Sequence, residues 1–137
     1  MSTTHVSPST AWGLFPLRIV VGLVFLMHGG QKLFVFGLDG TAEAMSQMGI
    51  PFSAVSGVLV ALIEFLGGAA ILTGFWTRWA ALLLVGDMTV AILMVRMAGG
   101  FFAPSGFEFE LTLLGAALTL ALLGPGRGPL DRFLPRG

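Results

Sequence analysis

Hydrophobic positions in this chain form long continuous runs rather than an alternating or a one-sided pattern. Three such runs, at about residues 14–36, 54–76 and 79–97, each approach the length of roughly 20 apolar residues that a membrane-spanning helix requires. Continuous runs favour helices over the strands of a membrane barrel, because barrel strands alternate apolar and polar positions. The pattern therefore predicts an all-α polytopic membrane protein.

A fourth run is shorter and follows two acidic residues. Its uninterrupted apolar part covers residues 111–123, so it crosses a bilayer only if Glu108 and Glu110 belong to its first turns. A re-entrant or partly buried helix is the alternative interpretation of this segment. With the fourth run counted as a span from about residue 107, the chain is predicted to form a four-transmembrane-helix bundle.

These runs divide the chain into a disordered segment at 1–13, a transmembrane domain at 14–124 and a polar cytoplasmic tail at 125–137. The first run lacks the basic start and the small-residue cleavage site of a secretory signal, so we expect it to be retained. Residues 41–48 predict a short helix on the membrane surface. Thr77-Arg78 forms a very short link, so the second and third spans should be antiparallel neighbours.

The composition supports a lipid environment and excludes several kinds of function. Hydrophobic residues make up 55% of the chain and charged residues 10%, whereas a soluble domain carries about 25% charged residues. The formal net charge is zero and there is no basic run, so nothing indicates a nucleic-acid partner. The absence of cysteine excludes thiol relays and thiolate metal sites within this chain.

The basic residues predict the orientation of the bundle, because they are enriched on the cytoplasmic side of membrane proteins. With both termini cytoplasmic, the loops at 37–53 and 98–106 face outward, and only Lys32 and Arg96 lie towards the outer side. The inner side then holds the larger basic set, which is Arg18, Arg78, Arg127, Arg132 and Arg136. We therefore predict that both ends are cytoplasmic.

Ionisable residues within the spans are the clearest candidates for function, since each charge at membrane depth costs about 2.5 to 3.5 kcal/mol on insertion. In the predicted orientation they extend from the midplane to the outer face, which suits a polar pocket that opens outward or into the outer leaflet. Phe101 joins this set because an aromatic side chain in a glycine-rich loop can stack on a flat ligand. The candidate ligand-binding residues are His28, Lys32, Glu64, Asp87, Arg96, Phe101 and Glu110.

Each candidate also has a purely structural interpretation. Glu64 is equally compatible with an interhelical partner for His28, Lys32 or Arg18 and with a functional carboxylate. Asp87 is equally compatible with a neutral acid that bonds to a neighbouring helix. Lys32 can extend to the lipid headgroups, and Phe101 can anchor the loop at the interface. No metal site is predicted, because the chain lacks the closely spaced histidine pairs typical of one.

The two halves of the chain contain a faint internal repeat. The segment after Glu64 resembles the segment after Glu110, and Arg18 and Arg78 both open odd-numbered spans. Two helical hairpins related by an axis along the membrane normal would produce this arrangement. A chance match is the alternative, because glycine, alanine and leucine dominate these segments.

Several short motifs, taken in order and with their spacing, resemble the DoxX family over about residues 14–132. They are Arg18 followed by FLMHGGQKL at 25–33, GIP at 49–51, EFLGG at 64–68 with Leu72, Gly74 and Arg78, GGFF at 99–102, EFEL at 108–111, GPG at 124–126 and Leu130-Asp131. Three of the candidate residues, His28, Lys32 and Glu64, lie within these motifs.

The resemblance implies a four-helix protein of the bacterial cytoplasmic membrane. The wider family includes the membrane subunit of thiosulfate:quinone oxidoreductase and proteins linked to oxidative stress. It thus implies a redox-associated protein that binds a quinone or a small apolar molecule, or a membrane subunit of an oxidoreductase. Expected partners are the lipid bilayer, a redox-enzyme subunit and a second copy of the chain. A structural anchor without ligand chemistry, or a small proton-coupled transporter, is the alternative.

Overall fold

Helices form nearly all of the structured part of this chain. A computed structural model describes residues 7–127 and contains no strand within them. Its α-helices are α1 (Pro8–Gly30), α2 (Gly37–Gln47), α3 (Ser53–Thr73), α4 (Thr77–Ala91) and α5 (Glu108–Leu123). The predicted all-α fold is therefore confirmed for the described residues.

Two of the α-helices are extended by turns with a different hydrogen-bond register. α1 leads into a π-helical turn at Gln31–Val35. α4 leads into a π-helical turn at Ile92–Arg96 and then a 3₁₀ turn at Met97–Gly99. Single π-helical turns are rare and often occur at functional sites.

Three helical segments in the described range are long and apolar enough to cross a membrane. They are Pro8–Val35, Ser53–Thr73 and Thr77–Gly99. α5 has 16 residues, which at ~1.5 Å per residue extend about 24 Å, whereas the apolar core of a bilayer is ~30 Å thick. The predicted fourth span therefore depends on how α5 and the residues before it sit in the membrane.

The first helix begins earlier than the predicted Leu14. Ser7 caps it, with the side-chain oxygen accepting a hydrogen bond from the backbone N–H of Thr10, and Pro8 occupies the first turn. Ser and Pro are favoured at these positions because one satisfies a free N–H and the other lacks one. Pro16 consequently lies inside α1 rather than in its first turn. The remainder of the predicted disordered segment, residues 1–6, lies outside the described residues.

The helices pack as two pairs joined through the middle of the bundle. α1 packs mainly against α3, α4 packs mainly against α5, and α3 also packs against α4. α2 lies against α3 and joins the first pair at one end. The core between the pairs contains Phe25, Ile71, Leu84, Ala117 and Leu120, which are all almost fully buried.

α1 and α3 approach each other closely because glycines lie where they cross. A methyl group at Gly68 would lie 2.7 Å from the carbonyl oxygen of Gly22 and 2.8 Å from the Cα atom of Leu26. A methyl group at Gly29 would likewise overlap the backbone of Phe65. Small residues commonly allow such contacts between membrane helices. This crossing fixes the position of Lys32 relative to Glu64.

The link between α3 and α4 is as short as predicted but lies slightly earlier in the chain. Gly74 ends α3 with a φ angle of 81°, and α4 already begins at Thr77. A glycine in this left-handed conformation is the common way to end a helix. The two helices are antiparallel neighbours, as predicted, and Arg78 belongs to the first turn of α4.

The outer surface of the bundle is apolar, with different aromatic residues at its two ends. Exposed leucines and valines cover the helix faces that point away from the core. Trp12, Trp76 and Trp79 are exposed near the end where α1 and α4 begin. Phe52 and Phe102 are exposed at the opposite end. Aromatic side chains are enriched at both membrane interfaces, so these two groups indicate where the bundle meets water.

The start of the predicted cytoplasmic tail folds back onto α1. Arg18 is buried in the bundle, and its guanidinium donates a hydrogen bond of 3.0 Å to the carbonyl oxygen of Pro125. The backbone N–H of Arg127 donates to the carbonyl oxygen of Ala11. The rest of the predicted tail, including Arg132 and Arg136, lies outside the described residues.

Candidate functional site

A cavity of about 210 Å³ lies among α1, α3, α4 and α5, towards the end of the bundle where α2 packs. Its walls are mainly apolar and include Phe25, Met88 and Leu113. Met45 and Met48 of α2, with Ile50 just after that helix, line another side. The polar part of the lining consists of His28, Lys32, Glu64, Asp87, Arg96 and Glu110.

The cavity therefore brings together six of the seven residues that the sequence predicted as a ligand site. Phe101 is not among the lining residues. Its ring instead packs edge-to-face against Phe102 and Phe107 within the loop that precedes α5. That the six residues bind a ligand stays a prediction, but their convergence on one cavity is a feature of the fold.

The shortest polar contact in the site joins the first two spans. The ammonium group of Lys32 lies 2.6 Å from Oε2 of Glu64 and donates a hydrogen bond to it. The side chains are 18% and 6% exposed respectively. Breaking a pair buried to this degree is costly, because the remaining charge loses the opposite charge that compensates it.

The π-helical turn at the end of α1 helps to place Lys32. In that turn the N–H of Phe36 bonds to the carbonyl oxygen of Gln31, five residues earlier rather than four. The hydroxyl of Thr41 lies 3.0 Å from the carbonyl oxygen of Lys32 and 2.8 Å from that of Gly37, so its one proton is shared between these two acceptors. Thr41 is buried on α2, so the surface helix predicted near residues 41–48 holds the backbone of Lys32 in position.

Asp87 extends the first ion pair into a three-residue group. Its carboxyl group lies close enough to Glu64 and Lys32 to interact electrostatically with both. Oδ2 of Asp87 is buried and receives no hydrogen bond from the described residues.

A second ion pair joins the other two long helices of the bundle. Nε of Arg96 lies 2.9 Å from Oε1 of Glu110, whose side chain is 10% exposed. Arg96 also donates a hydrogen bond of 3.0 Å to the carbonyl oxygen of Pro104, which fixes the loop before α5. Oε2 of Glu110 is buried, and no group in residues 7–127 donates to it.

The two ion pairs repeat one arrangement. In each, the cation lies in a π-helical turn at the end of an odd-numbered span, and the glutamate lies on the long helix that follows: Lys32 with Glu64, and Arg96 with Glu110. The internal repeat predicted from the sequence therefore has a counterpart in the geometry. The two halves differ in that α2 and the contact of Asp87 with the ion pair belong to the first arrangement.

His28 lies at the rim of the cavity rather than in its interior. Its Nδ1 atom lies 2.8 Å from the carbonyl oxygen of Val24 in its own helix. Its exposed ring is 5.9 Å from the ring of Phe109, centroid to centroid, and Phe109 is also exposed. His28 and Phe109 thus form part of an opening between α1 and α5.

Sequence reasoning missed several residues that shape the site. Phe109 lies between two glutamates and, as one apolar residue in an apolar segment, gave no signal of its own. Met45 and Thr41 were assigned only to a surface helix, yet both are buried. A threonine and a methionine four residues apart share one helix face, which was the available signal that α2 packs inward.

The lining residues define what the site can do chemically. Two basic side chains, Lys32 and Arg96, share the cavity with three carboxyl groups, so the cavity has one more acidic than basic side chain. Such a site can hold a proton or accept hydrogen bonds from a ligand. Within the described part of the chain, no three His, Asp or Glu side chains come close enough together to hold a metal ion.

Comparison with known proteins identifies relatives over most of the chain. A family model described as DoxX matches residues 13–97. The chain is 37% identical to "Inner membrane protein YqjF" of Escherichia coli, over 89% of this chain and 92% of that protein. It is 30% identical to "Putative oxidoreductase CatD" of Bacillus subtilis, over 91% and 89%. No solved structure matches.

A third relative extends the range of organisms. The chain is 34% identical to "Uncharacterized membrane protein Rv3486" of Mycobacterium tuberculosis, over 88% of this chain and 80% of that protein. These names and the three apolar helices confirm a multi-pass bacterial membrane protein that is embedded in the lipid bilayer.

Proposed function

The chain belongs to the DoxX family, and from this premise we propose that it is a redox-associated membrane protein that binds a quinone or a similar small ring compound. The observation that carries the proposal is the cavity of about 210 Å³ with apolar walls and six converging polar side chains. An engineered apolar cavity of ~150 Å³ already binds benzene, so this cavity has room for one substituted ring. Apolar walls with a few placed polar groups are typical of small-molecule sites.

The polar groups suit the chemistry of a quinone. Each carbonyl oxygen of a quinone needs a donor when the ring is bound, and a proton when the ring is reduced. Lys32 and Arg96 supply donors, and the Glu64–Asp87 pair can hold a proton close to them. His28 lies at the rim, where a proton can pass to or from the cavity.

We propose further that electrons reach the ring from a partner protein. The chain contains no cysteine, so it has no thiol relay of its own. The Bacillus subtilis relative carries the word oxidoreductase in its name, which supports a role beside or within such an enzyme. In this arrangement the chain is the membrane subunit that binds the ring.

The proposal includes four spanning helices with both termini in the cytoplasm. α5 is apolar on both sides: Leu113 and Leu120 face the core, and Leu111, Leu118 and Leu122 are exposed. A helix that is apolar all round is typical of a lipid environment. Residues of the loop that precedes α5 can lengthen the segment that crosses the bilayer. A span that is still short can be accommodated by local thinning of the bilayer.

The topology gives the first testable prediction. Four spans place both termini on the same side of the membrane, whereas three spans place them on opposite sides. We expect a green fluorescent protein fused to the C-terminus to fluoresce, and an alkaline phosphatase fused there to be inactive, because the C-terminus stays in the cytoplasm. The same fusions at the loop near residue 100 are the control and should give the reverse result. Phosphatase activity at the C-terminus would contradict the proposed topology.

Ring binding gives the second prediction. In purified protein in lipid nanodiscs, we expect Glu64→Gln to weaken binding of a quinone by about tenfold, because Lys32 loses the charge that orients it. The measurement is equilibrium dialysis, corrected for partition into empty nanodiscs. Thr73→Val is the matched control: it lies on the same helix, outside the cavity, and its hydroxyl bonds only to α3 itself. Equal binding by both variants would contradict a role for Glu64 in the site.

A structural anchor is the second candidate function, and the two ion pairs favour it specifically. Each pair joins two different helices, Lys32 with Glu64 and Arg96 with Glu110. Pairs of this kind can hold helices in register without any ligand. Replacing both members of a pair by apolar residues distinguishes the candidates, because an anchor tolerates that change and a binding site does not.

A further inference from the structure

The cavity has room for a ring but not for a long chain beside it. Its volume is about 210 Å³, and an engineered cavity of ~150 Å³ already binds benzene. A ring compound that stays in a bilayer carries a long apolar chain, because each added CH₂ group favours transfer from water into lipid. Such a chain has to leave the cavity through an opening, so the position of the opening decides which rings can bind.

His28 of α1 and Phe109 of α5 lie where the cavity reaches the surface of the bundle. Both residues line the cavity, and both are exposed. Their ring centroids are 5.9 Å apart and their planes are tilted by 38°, which is within the range of a direct aromatic contact. Exposed side chains change rotamer within nanoseconds, so rotation of Phe109 parts the two rings without any movement of the helices.

The seam between α1 and α5 is otherwise fastened at the end far from the cavity. Arg18 donates a hydrogen bond there to the carbonyl oxygen of Pro125. The backbone N–H of Arg127 donates to the carbonyl oxygen of Ala11. Along their length, α1 packs mainly on α3 and α5 mainly on α4, and the direct contact of α1 with α5 is the smallest between neighbouring long helices. In the described part of the chain, no ion pair joins α1 to α5.

The opening between the two rings faces lipid rather than water. Trp12 is exposed at one boundary of the apolar surface, and at ~1.5 Å per residue His28 lies roughly 24 Å along α1 from it. The apolar core of a bilayer is ~30 Å thick, so His28 falls inside it, near the opposite boundary. Met27 and Leu111, which are close to the two rings in the sequence, are exposed and apolar. The acyl chains of one leaflet therefore surround the opening.

We propose that the cavity receives its ring from the lipid through the seam between α1 and α5, and that the bound ligand carries a long apolar chain which stays in this seam. The ligand is thus a membrane-embedded ring compound with an alkyl or isoprenoid chain. Its ring lies among the polar groups of the cavity, and Phe109 rotates aside to let the chain pass. This proposal deepens the proposed function and rests on it, since both concern the same cavity.

The opposite side of the cavity marks the alternative route. Met48 and Val90 also line the cavity and are exposed, and a chain that left there would pass between α2 and α4. That side is better covered, because α3 and α4 pack more extensively than α1 and α5, and Met45 of α2 is buried against it. We therefore expect the chain to leave beside Phe109 and not beside Val90.

Two rings that differ in one substituent test the route. They are tetramethyl-1,4-benzoquinone and 2,3,5-trimethyl-6-decyl-1,4-benzoquinone, in which a decyl chain replaces one methyl group. Neither has a free ring carbon to which an amine or a thiol can add. Each radiolabelled ring is mixed with affinity-tagged nanodiscs that contain the protein and untagged nanodiscs that are empty. Capture of the tag separates the two pools, and the excess in the protein pool measures binding beyond partition into lipid.

A block placed in the seam provides a matched pair of proteins. The chain has no cysteine, so Phe109→Cys offers one thiol for a methanethiosulfonate nitroxide, a label larger than the phenylalanine side chain. We expect the label to lower the ratio of decyl-ring to tetramethyl-ring affinity about tenfold relative to the same variant without label, because label and chain compete for the seam. Labelled Val90→Cys and labelled Leu118→Cys should keep the ratio. Leu118 is exposed on α5 outside the cavity.

The outcomes separate this proposal from the broader one. A fall in the ratio with the label at residue 109 alone supports the seam as the route of the chain. An unchanged ratio there, a fall at residue 90 instead, or unlabelled wild-type protein that binds the tetramethyl ring and rejects the decyl ring would overturn the proposal, while ring binding itself stands. If neither ring binds above the empty nanodiscs, the proposed function fails as well.

The same label reports whether the opening faces lipid. Oxygen concentrates in lipid and a charged nickel chelate in water, so we expect the label at residue 109 to relax faster with oxygen, like the label in Leu118→Cys. Glu43→Cys, on the exposed face of α2, should respond more to nickel. A nickel response at residue 109 equal to that at residue 43 would contradict a lipid-facing opening. If Phe109→Cys does not fold by gel filtration, His28→Cys places the label on the other side of the same seam.

Discussion

Replacing Gly68 by alanine is expected to destabilise the bundle strongly, because the added methyl group would lie among backbone atoms of α1. The new methyl group would lie 2.7 Å from the carbonyl oxygen of Gly22, and it would also overlap the backbone of Leu26. Overpacking typically costs about 1–3 kcal/mol. We expect the upper end of that range or more, because backbone atoms within a helix cannot rotate away as side chains do. Thermal unfolding in detergent, followed by gel filtration, measures the loss.

Glycines on the open surface of the bundle provide the control for this prediction. A methyl group at Gly86 or Gly115 would meet nothing within 4 Å. Gly86→Ala and Gly115→Ala should therefore leave stability unchanged or raise it slightly, since alanine favours the helix by about 1 kcal/mol. If Gly68→Ala proved as stable as these two, the close approach of α1 and α3 would be wrong. Gly68→Ala should also weaken ring binding, because that crossing sets the distance between Lys32 and Glu64.

Removing the charge of Lys32 is the second change with a large expected effect. Lys32→Met leaves Glu64 and Asp87 facing each other without the cation that lies 2.6 Å from Glu64. Breaking a buried pair by removing one partner costs about 3–5 kcal/mol, because an uncompensated charge stays behind. Glu64→Gln should cost less, since Lys32 still has Asp87 nearby. Unfolding of the two single variants, measured side by side, checks this asymmetry.

The double variant Lys32→Met, Glu64→Met separates the two candidate functions. It removes both members of the pair, so we expect it to regain part of the stability that Lys32→Met loses. A structural anchor should then keep its partner proteins in the membrane. A binding site should stay unable to bind a ring, whatever its stability. Recovery of ring binding together with stability would contradict the proposed function. A double variant that is no more stable than Lys32→Met would contradict a stabilising ion pair between Lys32 and Glu64.

Most residues of the candidate site can be predicted from the sequence for one physical reason. A charge within an apolar span is expensive, so His28, Lys32, Glu64 and Asp87 stand out from the apolar runs that contain them. The same reasoning does not reveal residues whose burial costs nothing. Phe109 and Met45 line the cavity as well, but an apolar residue in an apolar segment carries no such signal.

The sequence does not show which side chains of the site contact each other, because those contacts depend on how the helices pack. Glu64 had three candidate partners in the sequence, and only the crossing of α1 and α3 brings Lys32 to it. The sequence placed Phe101 with the ligand site, yet the loop turns that ring towards Phe107. The π-helical turns also escaped prediction, because a one-residue change in hydrogen-bond register leaves the apolar pattern of a helix almost unaltered.

The sequence by itself determined that this chain is a helical membrane protein with ionisable side chains at depth, because the length and continuity of apolar runs must match the bilayer. Tertiary structure decided which of those side chains meet. Backbone contact at Gly22 and Gly68 joins α1 to α3, and Thr41 fixes the turn that carries Lys32. Only that packing brings Asp87 and Glu110 into one cavity with Lys32 and Arg96, since the side chains that share a cavity are neighbours in space rather than in the sequence.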